Sequence, residues 1–291
     1  MVAVLSKRIF AFAVLVAVSS CLASCSAISR VRDAATEPTQ VSAPATYDTV
    51  NNPDMRFVRT KTLDVAYSTE SSAQTLDIYL PEAGMAPYPV VVAIHGGSFK
   101  WGDKSDGQIA PMLSALGRGY AVVSINYRLM DEAKWPAQLE DAKAAIRFLR
   151  AHAVAYELDP NRMAAWGDSA GGELAALLGT TGGVIVSAGS YQSNGGQSDR
   201  VQAVVDWFGP IDSGALASIS PDAPPFLIEH GTNDRTVWVE QSKRLAAALT
   251  RTLGAEKVTL KLFDGAGHLD PVFASRQNLD FVLDWLDAHL K

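Results

Sequence analysis

Gly167-Asp168-Ser169-Ala170-Gly171 is the stretch on which the reading of this chain turns. Before it, Arg162-Met163-Ala164-Ala165-Trp166 has the composition of a short buried strand. After it, Gly172-Glu173-Leu174-Ala175-Ala176-Leu177-Leu178 reads as the opening of a helix. Gly-x-Ser-x-Gly between a strand and a helix puts the serine at the apex of a sharp turn, and the two glycines let strand and helix approach closely. A serine hydroxyl alone is a poor nucleophile. Ser169 therefore requires a base, an acid that orients the base, and donors for an oxyanion, all from elsewhere in the chain.

Working outward, Val90-Val91-Val92-Ala93-Ile94 is the continuous apolar run of a strand buried on both faces, and residues 120–125 form another. Residues 57–67 and 74–80 alternate as two antiparallel strands would, with Pro81 ending the second. Residues 108–117 read as helical. Pro136 is expected at the first position of a helix whose apolar stripe is Leu139, Ala142, Ile146 and Leu149. A Gly/Ser loop spans 179–198, three more strands are expected at 201–208, 225–230 and 258–262, and a helix at 238–253. A final helix carries Leu279, Val282, Leu283, Leu286 and Leu290 on one stripe. Strands alternating with helices predict an α/β fold, a mostly parallel sheet with helices on both faces and no internal repeat. Ligands of such sheets bind beyond the carboxyl ends of the strands, and His95, Ser169, Asp234 and His268 all fall there.

The partners of Ser169 follow from those positions. In His95-Gly96-Gly97-Ser98-Phe99, successive glycines allow amides to converge on one oxygen, so Gly96 and Gly97 are expected to form an oxyanion hole with Ala170. His95 is expected to brace that loop by a hydrogen bond. Asp234, in His230-Gly231-Thr232-Asn233-Asp234, and His268, after Gly265-Ala266-Gly267, complete the order Ser, Asp, His. Asp212 is a rival for the acid, and Asp264 and Asp270 flank His268. His152 and His289 read as helix-surface residues. Trp101 either lines the pocket or packs beside the turn. No metal is expected, because the histidines form no ligand cluster with spaced carboxylates or thiols, and no cofactor is implied.

Four motifs carry a family resemblance: His95-Gly96-Gly97-Ser98-Phe99 with Gly102-Asp103-Lys104, Asn126-Tyr127-Arg128, Gly167-Asp168-Ser169-Ala170-Gly171-Gly172, and Phe208-Gly209-Pro210-Ile211-Asp212. With them the chain resembles an α/β-hydrolase-fold carboxylesterase of the hormonesensitive-lipase-like group, most closely small bacterial enzymes related to feruloyl and acetyl-xylan esterases. The resemblance covers residues 56–291. It implies a serine esterase acting through an acyl-enzyme on a small-molecule ester, and a scaffold ion pair of Asp141 and Arg147. Ser98 in place of a third glycine and Glu173 in place of asparagine depart from the pattern. Only residues 213–223 separate Asp212 from Pro224, too few for a helical cap, so an open site and short acyl chains are expected, including acetyl or feruloyl esters of sugars. An amide hydrolase such as an arylformamidase, a serine peptidase of similar fold, and an inactive binding module are the competing readings.

The N-terminus reads separately. Lys7-Arg8 precede an uncharged apolar run from Ile9 to Val18 and then small residues, the pattern of a secretory signal. Leu22-Ala23-Ser24-Cys25 resembles a lipobox with Cys25 as the lipidated residue; Val18-Ser19-Ser20-Cys21 is a weaker match. A plain cleaved signal and an uncleaved anchor are the alternatives. The expected organisation is a signal over 1–24, a tether rich in Ala, Ser, Thr and Pro over 25–55, and a catalytic domain over 56–291. The expected location is an exported lipoprotein, held at a membrane through its lipid only and facing the periplasm or cell exterior. Both cysteines lie in this segment, so the domain has no disulfide and must rely on its core. The net charge is −6 with no basic run, which excludes a nucleic-acid partner; losing Lys7 and Arg8 with the signal takes it to −8.

Overall fold

The computed structural model describes residues 39–42, 58, 60–183, 194, 196–211, 216 and 219–291. The signal-like segment, Cys21, Cys25 and Asp212 lie outside the described residues. Within the stretch read as a tether, Thr39–Ser42 forms a strand, β1. Among the described residues no helix is long and apolar enough to cross a membrane.

Strands β2 (Lys61–Ala66), β3 (Thr75–Tyr79), β4 (Tyr88–Ile94), β5 (Ala121–Ile125), β6 (Leu158–Asp168), β7 (Ala203–Trp207), β8 (Phe226–Gly231) and β9 (Val258–Asp264) join β1 in one sheet. Its order is β1-β9-β8-β7-β6-β4-β5-β3-β2. The β2–β3 and β3–β5 pairings are antiparallel and all the others are parallel. Helices α1 (Ala137–Ala151), α2 (Ala170–Thr180), α3 (Glu240–Leu253) and α4 (Arg276–Leu290) and a 3₁₀ helix over Gly107–Arg118 complete it. The last of these was expected only as helical, and it contains Pro111, which has no amide to donate. Pro136 is the residue that precedes α1 and not its first position.

Two apolar layers hold the sheet, and the strand period of two divides them. Val90, Val92 and Ile94 of β4 point to a core shared with Leu139, Ile146, Leu149, Leu174 and Leu249, hence with α1, α2 and α3. Val91 and Ala93 point to the other, with Ile109, Leu113, Val282 and Leu286 from the 3₁₀ helix and α4. Strand β6 lies mid-sheet between β4 and β7, which places the nucleophile turn at the centre of one rim.

One expected contact is corrected. Asp141 and Arg147 both lie on α1 but do not pair. Six residues of α-helix separate two side chains by about 120° around the axis, so they leave on different faces. Asp141 binds Arg128, Nη2 to Oδ1 at 2.7 Å, and accepts from the Gln74 amide at 2.6 Å, while Arg147 lies 3.6 Å from Asp199.

Candidate active site

Ser169 sits between β6 and α2 with φ 51° and ψ −120°, a conformation non-glycine residues rarely adopt and one that needs its surroundings to hold it. Those surroundings are visible. Its amide donates to the Trp207 carbonyl at 2.9 Å and its carbonyl accepts from the Glu173 amide at 3.0 Å. A Cβ on Gly167 would lie 2.1 Å from the Gly171 carbonyl oxygen, and one on Gly171 2.0 Å from that of Ile94. Only glycine fits either place. The helix starts at Ala170, so its first turn lies directly behind the serine.

Strands β8 and β9 are neighbours, with Gly231 opposite Phe263, so the loops that follow them leave side by side. Backbone bonds from Thr232 to Phe263 and from Asn233 to Ala266, both 2.9 Å, fasten the loops together. The outcome is a connected set of side chains. His268 Nε2 lies 3.0 Å from Ser169 Oγ, and His268 Nδ1 lies 2.7 Å from Asp234 Oδ2. Asp234 is buried, and its Oδ1 accepts the amides of Thr236 (2.8 Å) and Val237 (2.9 Å). Of the other aspartates, Asp264 accepts from Thr232 Oγ1 and Asp270 from the Val272 amide, while Asp212 lies outside the described residues. His152 and His289 lie half-buried at the ends of α1 and α4, bonded to the carbonyls of Phe148 and Trp285 and away from Ser169.

The glycine loop requires a correction. The Gly96 amide was expected to serve the oxyanion, but it donates to Asp168 Oδ1 at 3.1 Å in the interior. The register explains this: Ile94 pairs with Gly167, which sets Gly96 beside Asp168. The amides of Gly97, Ser98 and Ala170 donate to no protein acceptor among the described residues. Gly97, Ser98 and Phe99 all have positive φ (113°, 53° and 60°), so the loop turns sharply after Gly96. His95 braces it as expected: Nδ1 lies 2.8 Å from the Gly96 carbonyl, its ring stacks on Tyr127 at 4.5 Å, and burial lowers its pKa. A Cβ on Gly102 would strike His95 Nδ1 at 2.3 Å. Lys104 bridges Asp64 (2.7 Å) and Asp77 (2.9 Å), and Asn126 Nδ2 donates to Asp103 at 2.7 Å, so this loop is stitched to β2 and β3 through Lys104 and to the end of β5 through Asp103. Trp101 is 54% exposed and its backbone carbonyl closes on Gly97, so its ring faces solvent more than core.

Phe208, which the sequence shows only as the first residue of a motif, turns its ring edge-on to the His268 imidazole at 4.7 Å and to Phe273 at 4.6 Å. Near it, Asp206 is buried and binds the Gly209 amide at 2.9 Å. Burial pushes the carboxyls of Asp168 and Asp206 up to about 7. Between the ordinary value near 4 and about 7 the folded chain keeps a proton that the unfolded chain has released, so stability falls as pH rises through that window. For one such carboxyl the loss amounts to at most about 4 kcal/mol above pH 7. Asp206→Asn keeps the acceptor for Gly209 and removes the charge. It is expected to raise the urea midpoint at pH 8 and leave it unchanged at pH 4; an equal effect at both would contradict this account.

A mostly parallel sheet with a serine elbow at mid-rim, and an imidazole and carboxylate on neighbouring loops, defines an α/β hydrolase. Residues 76–219 match the BD-FAE family and residues 188–291 the prolyl oligopeptidase family. A truncated carbohydrate esterase from gut microbiota is 30% identical, with TM-score 0.73 over 82% of this chain and 99% of its own. Two proteins of Mycobacterium tuberculosis (strain ATCC 25618 / H37Rv) are also similar. "Probable carboxylic ester hydrolase LipM" is 31% identical over 62% of this chain and 49% of its own length, and esterase LipC 27% identical over 68% and 57%. The chain thus spans about half the length of these curated relatives. It belongs to the carboxylesterase family of α/β-hydrolase-fold proteins.

Proposed function

We propose that this chain hydrolyses carboxylic esters of short acids through an acyl-enzyme on Ser169. The observation that carries the proposal is the single imidazole of His268 bracketed by Ser169 Oγ at 3.0 Å and Asp234 Oδ2 at 2.7 Å. His268 Nε2 takes the hydroxyl proton as Oγ bonds to the ester carbonyl carbon, and Asp234 holds the Nδ1–H tautomer and stabilises the imidazolium. The amides of Gly97, Ser98 and Ala170 receive the oxyanion. His268 then returns the proton to the leaving alcohol, and water repeats the sequence to release the acid.

The short segment after Asp212 and the exposed rim residues Trp101, Trp238 and Leu269 support an open site. Sugar esters of acetyl or feruloyl type are the proposed natural class, which the likeness to a carbohydrate esterase supports. A panel of acetyl, butyryl and palmitoyl p-nitrophenyl esters, acetylated xylan, feruloylated sugars and N-formylkynurenine tests both points. Acetyl or butyryl is expected to lead the simple esters. Palmitoyl in first place would overturn the open site, and N-formylkynurenine ahead of every ester would favour the amide hydrolase.

Export and a lipid on Cys25 belong to the same proposal. Cys25→Ala is expected to move the chain from the membrane to the soluble fraction; an unchanged membrane fraction would count against the lipid.

A further inference from the structure

The geometry points to His230 as a positioning residue for Asp234, at the end of a hydrogen-bonded relay that begins at Ser242. The inference rests on the esterase reading and adds to it a second imidazole on the same carboxylate. His230 is the penultimate residue of β8 and has no exposed surface; Ser242, in the first turn of α3, is also buried. His230 Nε2 faces two acceptors, the Val237 carbonyl at 2.9 Å and Asp234 Oδ2 at 3.2 Å. A ring nitrogen between two acceptors carries the proton. Nδ1 is then an acceptor, and Ser242 Oγ donates to it at 2.7 Å. The serine hydroxyl thus selects the tautomer whose Nε2–H bonds the Val237 carbonyl and lies 3.2 Å from Asp234 Oδ2.

Asp234 Oδ2 lies between two imidazoles, His268 at 2.7 Å and His230 at 3.2 Å, while backbone amides hold Oδ1. The carboxylate has no direction left in which to rotate. The groups facing His230 are few: Asp234 and His268 from the loops after β8 and β9, the exposed Glu240 at the start of α3, and the apolar edge of Phe208, 6.4 Å between ring centroids. Burial lowers the His230 pKa, which favours the neutral ring. The positive end of the Nε2–H dipole, 3.2 Å from Oδ2, draws electron density from the oxygen that binds His268. Its removal both frees the carboxylate and strengthens the hold on the imidazolium, and the acid limb of the rate profile reads that hold.

The test compares His230→Phe, His230→Gln and Ser242→Ala on p-nitrophenyl acetate from pH 5 to 9, with thermal denaturation beside it. For His230→Phe, kcat is expected to fall about tenfold or more with KM nearly unchanged, and the acid limb of kcat/KM to move up by about half a pH unit. His230→Gln places an amide N–H near the position of Nε2 and is expected to keep the limb in place; Ser242→Ala should move it in the same direction by less. A folded His230→Phe with an unmoved limb would overturn the inference, as would His230→Gln as impaired as His230→Phe. If His230→Phe does not fold, Ser242→Ala decides, and an unmoved profile there overturns it. The low-field proton resonance of His268 Nδ1–H is read without any ester. Its shift in Ser242→Ala supports the relay even if no ester in the panel is turned over, so failure of the esterase reading remains distinct from failure of this one.

Discussion

Ser169→Ala is expected to remove essentially all esterase activity, a loss in kcat on the order of 10⁶-fold for a residue that acts as one unit with its base and acid. It is also expected to leave the fold intact. Its side chain bonds His268, and the residue is only half-buried. Its positive φ is equally awkward for alanine, so the backbone strain does not change on substitution. Denaturation within about 0.5 kcal/mol of the parent, together with complete loss of fluorophosphonate labelling, is the expected pair of results. Retained labelling at another residue would move the nucleophile away from this elbow. Asp234→Asn is expected to cost about 10⁴-fold, because an amide at this position favours the wrong tautomer of the imidazole. The gap between the two variants separates the attacking group from the group that only orients.

The four loops that build this site were legible because each follows a strand that composition alone announces. Parallel strands all end on one rim, so Ser169 after β6, Asp234 after β8 and His268 after β9 were bound to share it. What spacing could not reveal was the direction of one amide. Gly96 and Gly97 are equivalent as letters, and the register of β4 against β6 decides between them by bringing Asp168 under Gly96. Asp141 and Arg147 do not pair, because the helical period separates side chains six residues apart whatever a family resemblance implies. Phe208 and His230 were missed because they lie inside motifs read for their glycines and for Asp234. Their contacts with His268 and Asp234 depend on ring orientations that no periodicity specifies.

Gly171→Ala is expected to damage both stability and activity, although it adds one methyl group. The added Cβ would lie 2.0 Å from the Ile94 carbonyl oxygen and 2.7 Å from that of His95. Both are backbone atoms of the central strand and its glycine loop, so no side-chain rotation can make room, and α2 must withdraw from β4. Forcing an extra carbon into a close-packed site costs about 1–3 kcal/mol where side chains can yield, and the upper end of that range is expected where they cannot. The same displacement separates the amide of Ala170 on α2 from those of Gly97 and Ser98 on the loop. Removal of a single oxyanion donor costs about 3 kcal/mol of transition-state stabilisation, or roughly 10²-fold in kcat. Gly117→Ala supplies the control: nothing lies within 4 Å of its added methyl and its φ is not positive. There the substitution is expected to be neutral or to stabilise by about 0.4–1 kcal/mol through the unfolded chain. Urea midpoints and kcat on p-nitrophenyl acetate for the two variants, side by side, measure the effect. A Gly171→Ala enzyme with the parent's midpoint and rate would mean that helix and strand are not in the contact that holds Ser169 at the rim.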